Sequence, residues 1–268
     1  MIKKILITFP IVLLFTLSSF AGKRDSTLVC KVIKHGLTDT RDLVLSPGHW
    51  DKKNWAIFGG VSATTGALIL WGDQPIYDFA NTLHSPVLDV FFNNAQPLGN
   101  IYPMMAISAM LLKGLVYHEN YSVETSLIAA ESMLLTTAMV QVVKNTASRT
   151  RPNNEGTTTP YLWNGPFFKG NSFYSGHTTA AFSVASVFAY RYRDTGWVPL
   201  LSYSLATVAA FQRIYGNRHW ASDVFMGAAV GTATGIFLCK QWERNTIKFY
   251  PVVTSGGMGL SLVLPLNY

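Results

Sequence analysis

Phe173-Tyr-Ser-Gly-His-Thr-Thr-Ala-Ala-Phe-Ser-Val-Ala-Ser-Val-Phe-Ala-Tyr190 runs from a polar turn into an apolar segment of helical length. Ser175 stands where a helix takes its N-cap, and Gly176 adds a position where backbone can approach a neighbour closely. Five more apolar stretches of helical length flank this one: Asn54 to Trp71, Ile101 to Tyr117, Ser126 to Lys144, Trp197 to Gln212 and Val224 to Cys239. Six such runs predict an all-α chain built as a six-helix bundle.

The rest of the chain divides around these helices. Lys3 and Lys4 precede the apolar run Ile5 to Leu17, and Ser19-Phe20-Ala21 has the small-x-small form of a cleavage site, so residues 1–21 read as a signal peptide, with an uncleaved anchor as the alternative. Residues 22–53 form a polar lead-in, 54–245 the helical domain, and 246–268 alternate with period two about Ser255-Gly256-Gly257, predicting a small C-terminal β-hairpin. Residues 152–172 are rich in Asn, Gly, Thr and Pro and form a long loop whose aromatics Tyr161, Trp163, Phe167 and Phe168 either guard an opening or pack beneath the loop. Cys30 and Cys239 lie near opposite ends, and nothing calls for pairing them.

Charged residues make up 13% of the chain, about half the usual share, yet mean hydropathy is only +0.22. Asn54 to Gly72 and Thr195 to Gln212 carry no charge and are long enough to cross a bilayer. The other runs suit buried helices of a soluble bundle equally well. The net charge of +7, or +5 once residues 1–21 are removed, suits an anionic surface or substrate. No pattern points to nucleic acid.

Three segments concentrate ionisable residues that an apolar bundle would otherwise exclude. Lys144-Asn-Thr-Ala-Ser-Arg-Thr-Arg151-Pro152 puts two cations seven apart, on one face if the helix persists to Arg151; alone, it also suits an ordinary cationic helix end. Phe173-Tyr174-Ser175-Gly176-His177 offers the free N–H groups of a helix start to a phosphate, with a histidine beside them; alone, that histidine would make a local hydrogen bond. Arg213-Ile-Tyr-Gly-Asn-Arg-His219-Trp-Ala-Ser-Asp223 places an imidazole and a carboxylate four apart, on one face of a helix, after a cation that closes an uncharged run. Two histidines, several cations and one carboxylate are the set that phosphoryl transfer needs: neutralised oxygens, a nucleophile and an acid for the leaving group. Guanidinium forks suit phosphate better than ammonium, so Arg151 and Arg213 are the expected clamps and Lys144 a point-charge contact.

Lys-x6-Arg-Pro, Ser-Gly-His and Arg-x5-His-x3-Asp, in this order, resemble the tripartite signature of the type 2 phosphatidic acid phosphatase family, which shares its core with vanadium haloperoxidases and bacterial acid phosphatases. The signature spans Lys144 to Asp223, and the helical pattern extends the resemblance over residues 50 to 245. The resemblance implies that His219 forms a phosphohistidine, Asp223 orients it and His177 protonates the leaving oxygen. Lys144, Arg151, Arg213, the Ser175 hydroxyl and the Gly176 N–H would bind the phosphate, without a metal or other cofactor. Tyr174 stands where the family usually has Pro, and Gln212 where it usually has Ser; the second change replaces a hydroxyl near the phosphate with a longer amide.

The implied activity is hydrolysis of a phospholipid, isoprenyl diphosphate or lipid A-like phosphate on the periplasmic side of an inner membrane. A soluble periplasmic acid phosphatase of broad specificity and a catalytically silent lipid-phosphate binder are the alternatives. A haloperoxidase ranks below them.

Overall fold

The computed structural model describes residue 36 and residues 38–153, 159–167 and 170–245, together with the backbone of 248–254 and 257–263. The expected signal peptide and Phe168 lie outside the described residues. The chain divides into two units, residues 1–49 and 50–268. In the first, residues 38–45 are helical and run into a 3-10 turn at Ser46–His49.

The second unit holds eight α-helices among the described residues rather than six: α1 (Lys52–Ala67), α2 (Asp73–Thr82), α3 (Pro86–Ala95), α4 (Ile101–Val116), α5 (Asn120–Ala147), α6 (Gly176–Arg191), α7 (Trp197–Tyr215) and α8 (Ala221–Asn245). The two extra helices are ten residues each, too short to stand out as apolar runs. Sequence nevertheless dictates α3, because Ser85 caps it by accepting from the Leu88 N–H at 3.4 Å and Pro86 occupies its first turn, where a missing N–H costs nothing. Helix α1 starts two residues before the expected boundary because Asp51 accepts from the Asn54 N–H at 2.7 Å. A π-helical turn, Leu68–Gly72, joins α1 to α2. Strands Lys248–Thr254 and Gly257–Val263 run antiparallel, Phe249 opposite Leu262.

Among the described residues three helical spans are long and apolar enough to cross a membrane: Lys52–Thr82, Asn120–Ala147 and Ala221–Arg244. The bent pair Pro86–Gly99 and Ile101–Val116 is a fourth if it is counted as one span. The first corresponds to one of the two uncharged runs marked in the sequence. The other marked run, now α7, is not among them, since Ser202, Tyr203, Ser204 and Gln212 interrupt its apolar character. Leu70, Trp71, Val87, Leu112, Val142 and Leu200 are all exposed, an apolar surface that suits lipid and not water.

Helix α6 packs against α5, α7 and α8. Its neighbours approach closely because the contact residues are small. Ala181 and Ala185 of α6 meet Ala206 and Ala209 of α7. On the other side Gly227, Gly231 and Gly235 of α8 lie against Ser175, Thr179, Ser183 and Ser186, and a Cβ added to Gly231 would sit 2.5 Å from the Thr179 carbonyl oxygen. This contact fixes the level of the α6 N-terminus against that of α8, and the Ser175 N–H donates to the Asp223 carbonyl at 3.0 Å. Gly231→Val is therefore expected to destabilise the protein by about 1–3 kcal/mol as overpacking, seen as a lowered melting midpoint in detergent. Gly59→Ala, with nothing within 4 Å of the added Cβ, should not lower it.

Candidate active site

Helix α5 carries Lys144 in its last turn and ends at Ala147, short of Arg151. Ser148 adopts the left-handed conformation, φ 45° and ψ 45°, and its N–H caps the Lys144 carbonyl at 3.1 Å. Lys144 and Arg151 therefore do not share a helix face as their spacing suggested. The chain instead leaves the helix and runs against the long loop: Thr150 N–H donates to Leu162 O at 3.0 Å, and Ser172 N–H to Arg149 O at 2.9 Å. Arg151 is brought back beside Lys144 by this path, and each lies in the other's electrostatic field.

Ser175 caps α6 by accepting from the Thr178 N–H at 3.4 Å and the Thr178 hydroxyl at 3.0 Å, which leaves its own O–H free to donate. Gly176 leaves space for Lys144, whose Nζ would be 3.9 Å from an added Cβ. His177 follows in the first turn. The turn Gln96–Gly99 passes directly beneath it, since a Cβ on Gly99 would lie 2.7 Å from His177 Cβ and 2.9 Å from Cδ2. His177 Nε2 is buried with no hydrogen-bond partner among the described residues.

At the end of α7 the Arg213 carbonyl accepts from both the Arg218 N–H (3.0 Å) and the His219 N–H (3.2 Å), with Asn217 in the left-handed region at φ 53°. This tight loop turns His219 inward. His219 is not on a helix, so the shared helix face expected of His219 and Asp223 is not what pairs them. Instead α8 starts at Ala221, and Asp223 reaches back from its first turn to accept from the Trp220 N–H at 2.9 Å, half of a capping box. That places Asp223 Oδ2 at 3.7 Å from His219 Nδ1, an ion-pair distance longer than a hydrogen bond. Nδ1 has no other partner among the described residues.

The remaining lone pairs of Asp223 are engaged. Its Oδ1 accepts from Arg149 at 2.6 Å and its Oδ2 from the Ser172 hydroxyl at 2.5 Å. Arg149, fully buried, also pairs with Asp73 at 2.6 Å. Sequence reasoning singled out neither Arg149 nor Asp73. Arg149 stands inside the first motif between its two named cations, and Asp73 closes the uncharged run of α1, a placement that carried a signal.

His177 lies within electrostatic reach of Arg213, His219, Lys144 and Arg151, and Lys144 within reach of Arg151, Asp223 and Arg213. One locus thus gathers all three segments. None of Lys144, Arg151 and Arg213 has a carboxylate ion-pair partner among the described residues. Burial, joined by the positive charges of Lys144 and Arg151, pushes the His219 imidazole down to about 4 against the pull of Asp223.

The two family departures have local consequences. The Gln212 side-chain carbonyl accepts from Arg213 Nε at 2.6 Å and also from Nη2, so the amide grips the cation itself. Tyr174 is 2% exposed, with its ring edge-on to Phe173. In the loop, Trp163 covers the Arg149 guanidinium at 4.9 Å, Tyr161 donates to the Leu70 carbonyl at 2.8 Å, and Phe167 is exposed.

Residues 125–247 match the family model of the PAP2 superfamily. The lipid A 1-phosphatase of Porphyromonas gingivalis is 32% identical over 148 residues, which are 54% of this chain and 30% of that protein's length. Among solved structures, the PAP2 type phosphatidylglycerolphosphate phosphatase of Bacillus subtilis is 15% identical with a TM-score of 0.51, covering 71% of this chain and 96% of that one, a likeness of fold. Aquifex aeolicus LpxE is 25% identical with a TM-score of 0.48 over 63% of this chain and 94% of that one.

Buried His219 binds a proton less readily in the folded protein than in the unfolded chain, where its ordinary value of 6.5 applies. The unfolded state therefore takes up a proton first as pH falls, and stability is lost between about pH 6.5 and 4. Melting midpoints across that window should fall more steeply for the wild type than for His219→Gln, which has no such group to titrate.

Proposed function

We infer that this chain, which belongs to the PAP2 superfamily through residues 125–247, is a membrane-bound phosphatase that removes phosphate from a phosphorylated lipid through a phosphohistidine. The observation that carries this reading is the convergence of His177 and His219 on a locus with three cations that lack carboxylate partners among the described residues. Unpaired buried cations are costly unless an anion completes them.

In this mechanism the transferred phosphoryl group lies among Lys144, Arg151 and Arg213, with the Ser175 O–H and the Gly176 N–H at the start of α6 as further donors. His219, neutral above pH of about 4, attacks phosphorus through Nε2 while its Nδ1 proton moves toward Asp223. Closing the 3.7 Å gap forms a charge-assisted hydrogen bond as positive charge develops on the imidazole. His177, pushed down to about 3 by burial and the surrounding cations, takes up a proton when the anionic phosphate binds beside it. It gives that proton to the departing lipid oxygen, then takes one from the water that hydrolyses the phosphohistidine. No step calls on a metal.

The substrate is a lipid because the helices that carry the site present an apolar surface. Within that class we favour the glycolipid phosphate of a lipid A-like molecule, on the strength of the 32% identity to a lipid A 1-phosphatase, ahead of phosphatidic acid, phosphatidylglycerophosphate or an isoprenyl diphosphate. Catalysis on the periplasmic side, a leader at 1–21, a phosphatase domain at 54–245 and a C-terminal hairpin at 246–268 belong to the same reading. The competing reading, a silent phosphate-lipid binder, draws on the open His219–Asp223 distance.

Phosphate release from these four lipids and from water-soluble esters, measured with detergent-solubilised protein in the presence of EDTA, tests the proposal. Turnover should be highest on the lipid A-like substrate, and His219→Ala should lower it by about a thousandfold or more. Equal rates on soluble esters, or equal rates for wild type and His219→Ala, would refute it. Gly99→Ala, which forces a Cβ against His177, should lower kcat by about tenfold or more, whereas Gly59→Ala should match the wild type.

A further inference from the structure

The cations around the site fall into two kinds. Lys144, Arg151 and Arg213 lie at the locus without carboxylate partners among the described residues, whereas Arg149 spends every donor it has. Its Nε donates to Pro160 O at 3.1 Å, Nη1 to Ser222 Oγ at 2.7 Å and Asp223 Oδ1 at 2.6 Å, and Nη2 to Asp73 Oδ2 at 2.6 Å and Pro160 O at 2.8 Å. Five N–H groups make five bonds, all buried, with Trp163 at 4.9 Å and Trp220 at 5.7 Å over the guanidinium. No N–H remains for a substrate phosphate.

Asp73 is equally committed. Its Oδ1 accepts from the Ser222 N–H at 2.8 Å, and its Oδ2 accepts from the Ser222 hydroxyl and from Arg149, both at 2.6 Å. It thus caps the first turn of α8, the turn that carries Asp223. The π-helical turn just before Asp73 sets where α2 begins, and the long loop is tied to that turn through Tyr161 and the Leu70 carbonyl.

We propose that Asp73 and Arg149 are positioning residues for the nucleophile, an Asp73–Arg149–Asp223 relay that holds the Asp223 carboxylate and sets how strongly it draws the His219 proton. This deepens the phosphatase reading and rests on it for its catalytic consequence. Arg149 alone beside Asp223 would cancel much of that carboxylate's attraction for a positively charged imidazole. Asp73 offsets Arg149, so the buried cluster of two carboxylates and one guanidinium keeps one negative charge facing His219. That charge opposes the others around the imidazole: Lys144 at the end of α5, Arg151 in the segment after it, His177 of α6 and Arg213 closing α7.

The experiment uses full-length protein in detergent, comparing wild type, Asp73→Asn and Arg149→Lys. Asn keeps the shape of Asp73 and an oxygen for the Ser222 N–H but removes the charge, and Lys keeps the charge of Arg149 but not the fork. Each is assayed for kcat and KM, orthovanadate binding, melting midpoint and the titration of His219 by NMR of labelled histidine. For Asp73→Asn the expected result is kcat lower by about ten- to a hundredfold, with KM and vanadate affinity within about twofold. The His219 titration should move to lower pH by about half a unit or more, because an opposing negative charge has been lost. Arg149→Lys should lower kcat by at least as much, since one ammonium cannot span Asp73, Asp223 and Ser222.

Should Asp73→Asn leave both kcat and the His219 titration unchanged, the relay is refuted. It is equally refuted if Asp73→Asn and Arg149→Lys lose kcat only in proportion to vanadate affinity and melting midpoint, which marks a merely structural role. The titration does not depend on turnover. A wild type inactive on every lipid would therefore sink the phosphatase reading, while a shifted His219 titration in Asp73→Asn would still uphold the relay.

Discussion

The Arg149 guanidinium, buried between Asp73 and Asp223 at 2.6 Å from each, is the interaction from which the site is built. A charge in this setting is tolerable only when every donor is met, because leaving one partner of a buried pair uncompensated costs about 3–5 kcal/mol. Meeting all five donors requires four separate pieces of chain at once: the start of α2, the stretch after α5, the loop at Pro160 and the first turn of α8. Arg149 therefore acts as a geometric lock on the locus where His219 lies. It also explains why the loop is long, since residues 152–172 must travel from Pro152 over the guanidinium and back to Ser172, which binds the same Asp223.

Around this lock the helices contribute closeness rather than chemistry. Gly227, Gly231 and Gly235 let α8 lie directly on α6, and Gly99 lets the turn before α4 lie on His177. The result is that two helix starts, those of α6 and α8, meet at one level, joined by the Ser175 to Asp223 backbone bond. Helix starts carry free N–H groups and partial positive charge, so the packing that brings these two together also concentrates positive potential there. Lys144, Arg151 and Arg213 add full charges to that partial one.

Two classes of cation thus sit a few residues apart in one chain and do different work. Arg149 is neutralised internally and holds shape, while Arg151, two residues on, has no carboxylate ion-pair partner among the described residues. Gln212 adds a third device, a neutral amide that steadies Arg213 without neutralising it, so the guanidinium keeps its full charge.

The helical character of the chain, the three polar segments and the family resemblance were all legible in the residues, because apolar periodicity and motif spacing are local properties that survive in a linear string. His177, His219 and Asp223 were named for the same reason. The helix count was not legible, since α2 and α3 are brief and owe their places to Asp73, Ser85 and Pro86 rather than to a long apolar face. Nor were the true relations of Lys144 to Arg151 or of His219 to Asp223, which run through a left-handed Ser148 and a capping turn instead of continuous helix. That Arg149 and Asp73, 76 residues apart, find each other was not legible, although each alone stands at a noticeable position. Their pairing has no spacing to betray it: it exists only because burial forces a guanidinium to find partners wherever the fold brings carboxylates.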